Sequence, residues 1–132
     1  MKFHHIGIFT KSISYGKKQI LSFLTVKNVS KVYYDKSLGV KVLFIKDKSN
    51  ITYEIVSPLG KKNPVKKVIK ENNNILNHIA YKVKNFDKKV INLRKNGFAP
   101  LIKPTKAIAF KKKRVCFFLT PLNFIIEIIE DD

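Results

Sequence analysis

His5-Ile6-Gly7, near the start of the chain, returns 73 residues later as His78-Ile79-Ala80, and Glu54-Ile55-Val56 returns at the same offset as Glu127-Ile128-Ile129. Between these anchors Ser12 falls on Asn85, Ile13 on Phe86, and Val42, Phe44 and Ile45 on Val115, Phe117 and Phe118. The chain holds only 3 His and 9 acidic residues. One offset that superimposes His on His and Glu on Glu therefore marks an internal duplication.

Each copy reads as strand, helix and three strands, so the pattern predicts an α+β fold of two βαβββ modules. In the first, Phe3–Phe9 is an apolar strand, Ser12 stands where a helix N-cap belongs, and Ile13, Ile20, Leu21 and Leu24 form a helical stripe. Strands follow at Val29–Tyr34, Val40–Lys46 and Ile51–Ser57, the last two joined by a turn at Lys46-Asp47-Lys48-Ser49-Asn50. In the second, strand His78–Val83 leads to Asn85 as cap and a helix that stops at Asn96-Gly97. Its strands are expected near Leu101–Lys106, Arg114–Leu119 and Phe124–Glu130. The whole is expected to be a single domain over 1–132, with module 1 at about 1–60, a Lys- and Asn-rich linker at about 61–76 and module 2 at about 77–132. A short helix is expected around Val65–Lys70.

At 132 residues and 45% hydrophobic content the chain can build a core, and 5 Gly with 5 Pro argue against low complexity. Cys116 is the single cysteine, so no internal disulfide and no secreted, stapled fold is indicated. No run approaches the roughly 18 apolar residues of a membrane span. His4 and His5 interrupt what would be the apolar stretch of a signal peptide. The expectation is a cytoplasmic protein without membrane contact. A net charge of +18 suggests nucleic acid at first. Yet only Arg94 and Arg114 among the 27 basic residues are arginine, and arginine forks do most base and phosphate reading. The richness in Lys, Asn and Ile fits an A- and T-rich coding sequence, so nucleic acid is disfavoured, whereas a phosphate-bearing small molecule would be drawn to such a field.

Glu127 lies inside Phe124-Ile125-Ile126-Glu127-Ile128-Ile129, and Glu54 inside Ile51-Thr52-Tyr53-Glu54-Ile55-Val56. Taken singly, each Glu reads as solvent-facing on a half-exposed strand, and each His as a satisfied core or edge residue. The duplication changes that balance. Gly7 and Ala80 stand two positions after His5 and His78, on the same strand face, and are small enough to leave room above the imidazoles. Four residues related by an internal twofold can converge on one point, and two imidazoles with two carboxylates suit one divalent ion: Co, Ni, Mn, Zn or Fe. His4 has Asn77 as its repeat partner and falls outside the set. Cys116 reads as a small buried apolar side chain, Pro58-Leu59-Gly60-Lys61-Lys62 as a turn and not a phosphate loop, and Lys111-Lys112-Lys113-Arg114 as a solvated hairpin tip with an anion clamp as its alternative.

These features resemble the vicinal oxygen chelate superfamily, and within it the methylmalonyl-CoA epimerases. The likeness is carried by His5-Ile6-Gly7-Ile8, Gly39-Val40-Lys41-Val42, Glu54-Ile55-Val56-Ser57-Pro58-Leu59-Gly60, Asn63-Pro64-Val65, His78-Ile79 and Ile126-Glu127-Ile128, and spans nearly the whole chain. Asn63 replaces the epimerases' usual Ser. The resemblance implies paired modules whose mixed sheets curl into an open, glyoxalase-like barrel around a metal held by His5, Glu54, His78 and Glu127. It implies proton abstraction next to a carbonyl through a metal-stabilised enolate, with Glu127 as base, on a small-molecule substrate such as a CoA thioester. One departure stands out: some epimerases carry a further carboxylate on the strand before the first Glu, but Val40–Ile45 has none. The alternatives are a lactoylglutathione lyase (glyoxalase I)-like enzyme and a non-catalytic binding or resistance protein of this fold. Exposed sheet edges make a homodimer plausible.

Overall fold

The computed structural model describes residues 1–60 and 76–132; the linker and the helix expected at Val65–Lys70 lie outside the described residues. The chain divides into two compact units, one of His5–Asn77 and one of Met1–His4 with His78–Asp132.

The His5–Asn77 unit takes most of strand β1 (Lys2–Phe9), then helix α1 (Ile13–Phe23), β2 (Val26–Val29), β3 (Tyr33–Asp35), β4 (Val40–Asp47) and β5 (Thr52–Pro58). Its sheet runs β2-β4-β5-β1, with β3 also on β4; β1 and β5 are parallel and the other pairs antiparallel. Ser12 begins α1 as expected, its Oγ accepting the Tyr15 N–H at 3.1 Å. Asp47 shapes the β4–β5 turn: its Oδ1 accepts the N–H groups of Ser49 at 2.9 Å and Ile51 at 3.0 Å. Ile20 of α1 meets Leu43, Ile45 and Ile55 of the sheet in a buried cluster, with Ile8, Ile13 and Leu24 against it. Leu21, expected in that stripe, is exposed.

The other unit repeats the plan: β6 (Leu76–Val83), α2 (Phe86–Lys95), β7 (Ala99–Pro100), β8 (Thr105–Ala107), a 3-10 turn at Ile108–Phe110, β9 (Lys113–Leu119) and β10 (Ile125–Glu130). Its sheet runs β6-β10-β9-β7 with β8 on β9, and β6 and β10 are its parallel pair. Val83, Phe86, Leu93, Cys116, Phe118, Ile126 and Ile128 fill its core. Met1–His4 packs with this unit, Phe3 edge-on to Tyr81 and His4 edge-on to Phe110.

Three expectations need correction. The strand expected at Val29–Tyr34 is two short strands, because Ser30 Oγ takes the Phe44 N–H at 2.9 Å and replaces a ladder bond. The strand expected near Leu101–Lys106 also breaks in two, at a stretch where Pro104 has no N–H to donate. Asn85 does occupy the N-cap position of α2, but with a left-handed backbone (φ 54°) and no side-chain hydrogen bond to the helix. The helix stop at Gly97 holds, with φ +85°. Among the described residues no helix is long and apolar enough to cross a membrane.

Candidate functional site

In each unit the helix covers one face of the sheet, and strand alternation sends the other set of side chains to the opposite face. On β5, Ile55 packs towards α1, so Glu54 points away from it; on β10, Ile126 and Ile128 pack towards α2, so Glu127 points away. The parallel register then sets Gly7 of β1 directly beside Glu54, and Ala80 of β6 directly beside Glu127. On the other flank the antiparallel register sets Phe44 beside Glu54 and Phe117 beside Glu127. These are the residue pairs that the 73-residue offset superimposes.

His5 and His78 stand two residues before Gly7 and Ala80, on the same face. In the first unit His5 Nε2 faces Glu54 Oε1 at 3.4 Å; in the second His78 Nε2 faces Glu127 Oε1 at 3.2 Å. The imidazoles also meet the neighbouring phenyl rings edge-on, His5 on Phe44 with centroids 5.8 Å apart and His78 on Phe117 at 5.3 Å. Sequence pairs Phe44 with Phe117 but assigns them no role. In the fold each forms a wall that orients a ring.

All four polar residues are buried, His5 at 0%, Glu54 at 5%, His78 at 4% and Glu127 at 2% exposure. The solvent-facing reading of each Glu is thereby overturned. Burying a carboxylate costs several kcal/mol unless it is paired, protonated or bound to a cation. A hydrogen bond between an imidazolium and a carboxylate closes to about 2.7–2.9 Å. Two donors sharing one ion at bond lengths of about 2.1 Å stand roughly 3.0–3.4 Å apart at octahedral to tetrahedral angles. The separations of 3.4 and 3.2 Å suit two donors facing one ion, and the shorter is also the length of an ordinary N–H···O hydrogen bond. These buried His and Glu side chains could hold a metal ion.

The remaining sequence candidates are accounted for otherwise. Cys116 is buried, its thiol donating to the Ile102 carbonyl at 3.3 Å, and burial pushes its pKa up, which makes it a poor nucleophile. In the Lys111–Arg114 run, Lys111 and Lys112 turn with left-handed backbones, while Lys113 pairs with Asp132. Arg114 is fully engaged by Glu130 and Asp87, at 2.8 Å to each. That run is a turn and a structural clamp, with no fork left for an anion. Pro58 closes β5 and Gly60 turns with φ +84°; Lys61 and Lys62 lie outside the described residues.

Residues 4–117 match the Glyoxalase/Bleomycin resistance protein/Dioxygenase superfamily. The chain belongs to that superfamily. A search of the curated proteins finds no match to the sequence. Solved structures show the same fold. A hypothetical protein from Bacillus halodurans superimposes with a TM-score of 0.83 at 24% identity, covering 99% of this chain and 94% of that one. Methylmalonyl-CoA epimerase from Mycobacterium tuberculosis gives 0.81 at 16% identity, covering 99% and 88%. Glyoxalase I from Zea mays, in a mutant form, gives 0.67 at 12% identity, and this superfamily member spans 44% of its length. The α+β fold expected from the duplication, in the glyoxalase-like form that the resemblance implies, is therefore the fold of this chain.

Proposed function

We propose that this protein is a metal-dependent isomerase or lyase, epimerase-like, acting on the carbon next to a carbonyl of a CoA thioester such as methylmalonyl-CoA. The observation that carries it is the repeated pair: two buried His–Glu contacts at equivalent positions, each beside a Gly or Ala that leaves space, each with ligand-like separation. His5, Glu54, His78 and Glu127 together hold one divalent ion, of Co, Ni, Mn, Zn or Fe. When bound, that ion supplies the positive charge that steadies negative charge developing on a substrate carbonyl. Glu127 takes the proton from the adjacent carbon. Epimerisation needs a second group to return a proton to the opposite face. Asp35 and Asp47, the other buried carboxylates among the described residues, are tied into turns by Ser37 and by Ser49 and Ile51, which leaves Glu54 for that role.

Structural likeness supports an epimerase-like over a glyoxalase I-like reading: two methylmalonyl-CoA epimerase chains superimpose with TM-scores of 0.81 and 0.77, against 0.67 for glyoxalase I. The single Cys, buried and unpaired with another, suits a reducing, cytoplasmic setting, and a homodimer would cover the edge strands. The test is exchange of the substrate's acidic proton in deuterated water, followed by NMR on methylmalonyl-CoA. The wild type exchanges it, and Glu127→Gln slows exchange by about 100-fold or more. Exchange at the wild-type rate in Glu127→Gln would remove Glu127 as base. Turnover of a glutathione hemithioacetal with no exchange on the CoA thioester would move the assignment to the glyoxalase I-like reading. Tight metal binding with neither reaction would leave the non-catalytic binding protein.

A further inference from the structure

Helix α2 carries a cleft that the His–Glu pairs do not use. It is a shallow, open depression of about 290 Å³, bordered by Lys84, Asn85, Lys88, Lys89 and Asn92. Asn85, Lys88, Lys89 and Asn92 recur at helical spacing, so they form one stripe of α2, and Lys84 joins it from the residue after β6. Lys84, Lys88 and Lys89 have no ion-pair partner among the described residues. The nearest acid in sequence, Asp87, is taken by Arg114 through two bonds of 2.8 and 3.1 Å, which also holds its carboxyl below the usual range. Asn85, held left-handed at the helix start, makes no side-chain bond to the first turn and leaves its amide available to a ligand.

Three cations without ion-pair partners among the described residues, grouped with two amides around one depression, match an anion with several acceptor oxygens. We propose that this cleft binds a phosphate-bearing small molecule through its diphosphate. The cleft is separate from the His78–Glu127 pair: Lys84 follows His78 by six residues of extended chain, about 20 Å. Two sources share this chemistry, the phosphates of a CoA-type substrate and those of an independent ligand, and the first of these rests on the function proposed above.

The test uses inorganic pyrophosphate as probe, titrated calorimetrically into the full chain at low and at physiological salt. Saturable binding is expected, weakened about tenfold or more in the triple variant Lys84→Gln, Lys88→Gln, Lys89→Gln. A control that removes equal charge from exposed positions elsewhere (Lys17→Gln, Lys18→Gln, Lys36→Gln) is expected to stay within about twofold. Equal weakening in both, or no saturable binding, would overturn the proposal by reducing the cleft to part of a diffuse basic field. Competition then separates the sources. If coenzyme A displaces pyrophosphate and phosphate-free pantetheine does not, the cleft grips the substrate's own phosphates. If coenzyme A binds without displacing it, the cleft serves a separate ligand. Both results stand even if no proton exchange is ever detected, so the cleft and the proposed catalysis fail independently.

Discussion

Gly16, the fourth residue of α1, sits where the helix passes against Ile55 of β5. A Cβ added there would lie 2.6 Å from Ile55 Cγ2, 2.6 Å from Thr10 Cγ2 and 2.9 Å from Thr10 Oγ1. Thr10 could rotate, but its Oγ1 is already donating to the Ser12 carbonyl at 2.7 Å, and Ile55 is fully buried in the core of its unit. The helix must therefore lift or the strand must shift. Overpacking of this kind costs about 1–3 kcal/mol, and two contacts this close put Gly16→Ala near the upper end. Alanine returns about 1 kcal/mol through its better helix propensity. The net expectation is a loss of about 2 kcal/mol, read as a lower denaturant midpoint with unchanged slope and a melting temperature down by about 6–10 °C. Ile55 neighbours Glu54, so metal affinity should weaken in the same variant. If Gly16→Ala is as stable as the wild type, the close seating of α1 on β5 is wrong.

Other perturbations probe single contacts. Ser12→Ala removes the cap on Tyr15 N–H and should cost about 1 kcal/mol by urea unfolding, with metal content unchanged. Arg114 holds Glu130 down at about 2, through side-chain and backbone hydrogen bonds, against an ordinary value of 4.5. A carboxylate depressed in this way adds stability that is present above pH 4.5 and lost as pH falls towards 2. The pair is partly wetted, so the contribution is about 1 kcal/mol, and Arg114→Gln should flatten that acid loss. Equal acid sensitivity of the two proteins would show that the clamp is not the cause.

The 73-residue offset made much of this fold legible, because strand register follows from it: once Gly7 lies beside Glu54, Ala80 must lie beside Glu127. The positions of Phe44 and Phe117 follow by the same logic, although nothing in a lone Phe marks it as an imidazole wall. What sequence missed depends on side chains acting out of pattern. Ser30 breaks a strand by taking the Phe44 N–H, a long-range bond with no local signature. Asn85 keeps the cap position but not the cap bond. The Arg114 clamp joins residues 87, 114 and 130, which only the fold brings together. The basic cleft on α2 was masked by composition, since in a chain with +18 net charge three more lysines carry no signal.

Metal stoichiometry decides whether the two His–Glu pairs share one ion. One tightly held ion per chain is expected, by elemental analysis after chelation and reloading with Co or Mn, and its loss in both His5→Ala and His78→Ala with the fold retained. Two ions per chain, each lost with its own histidine, would contradict it, because the His–Glu pairs would then be separate sites and not halves of one.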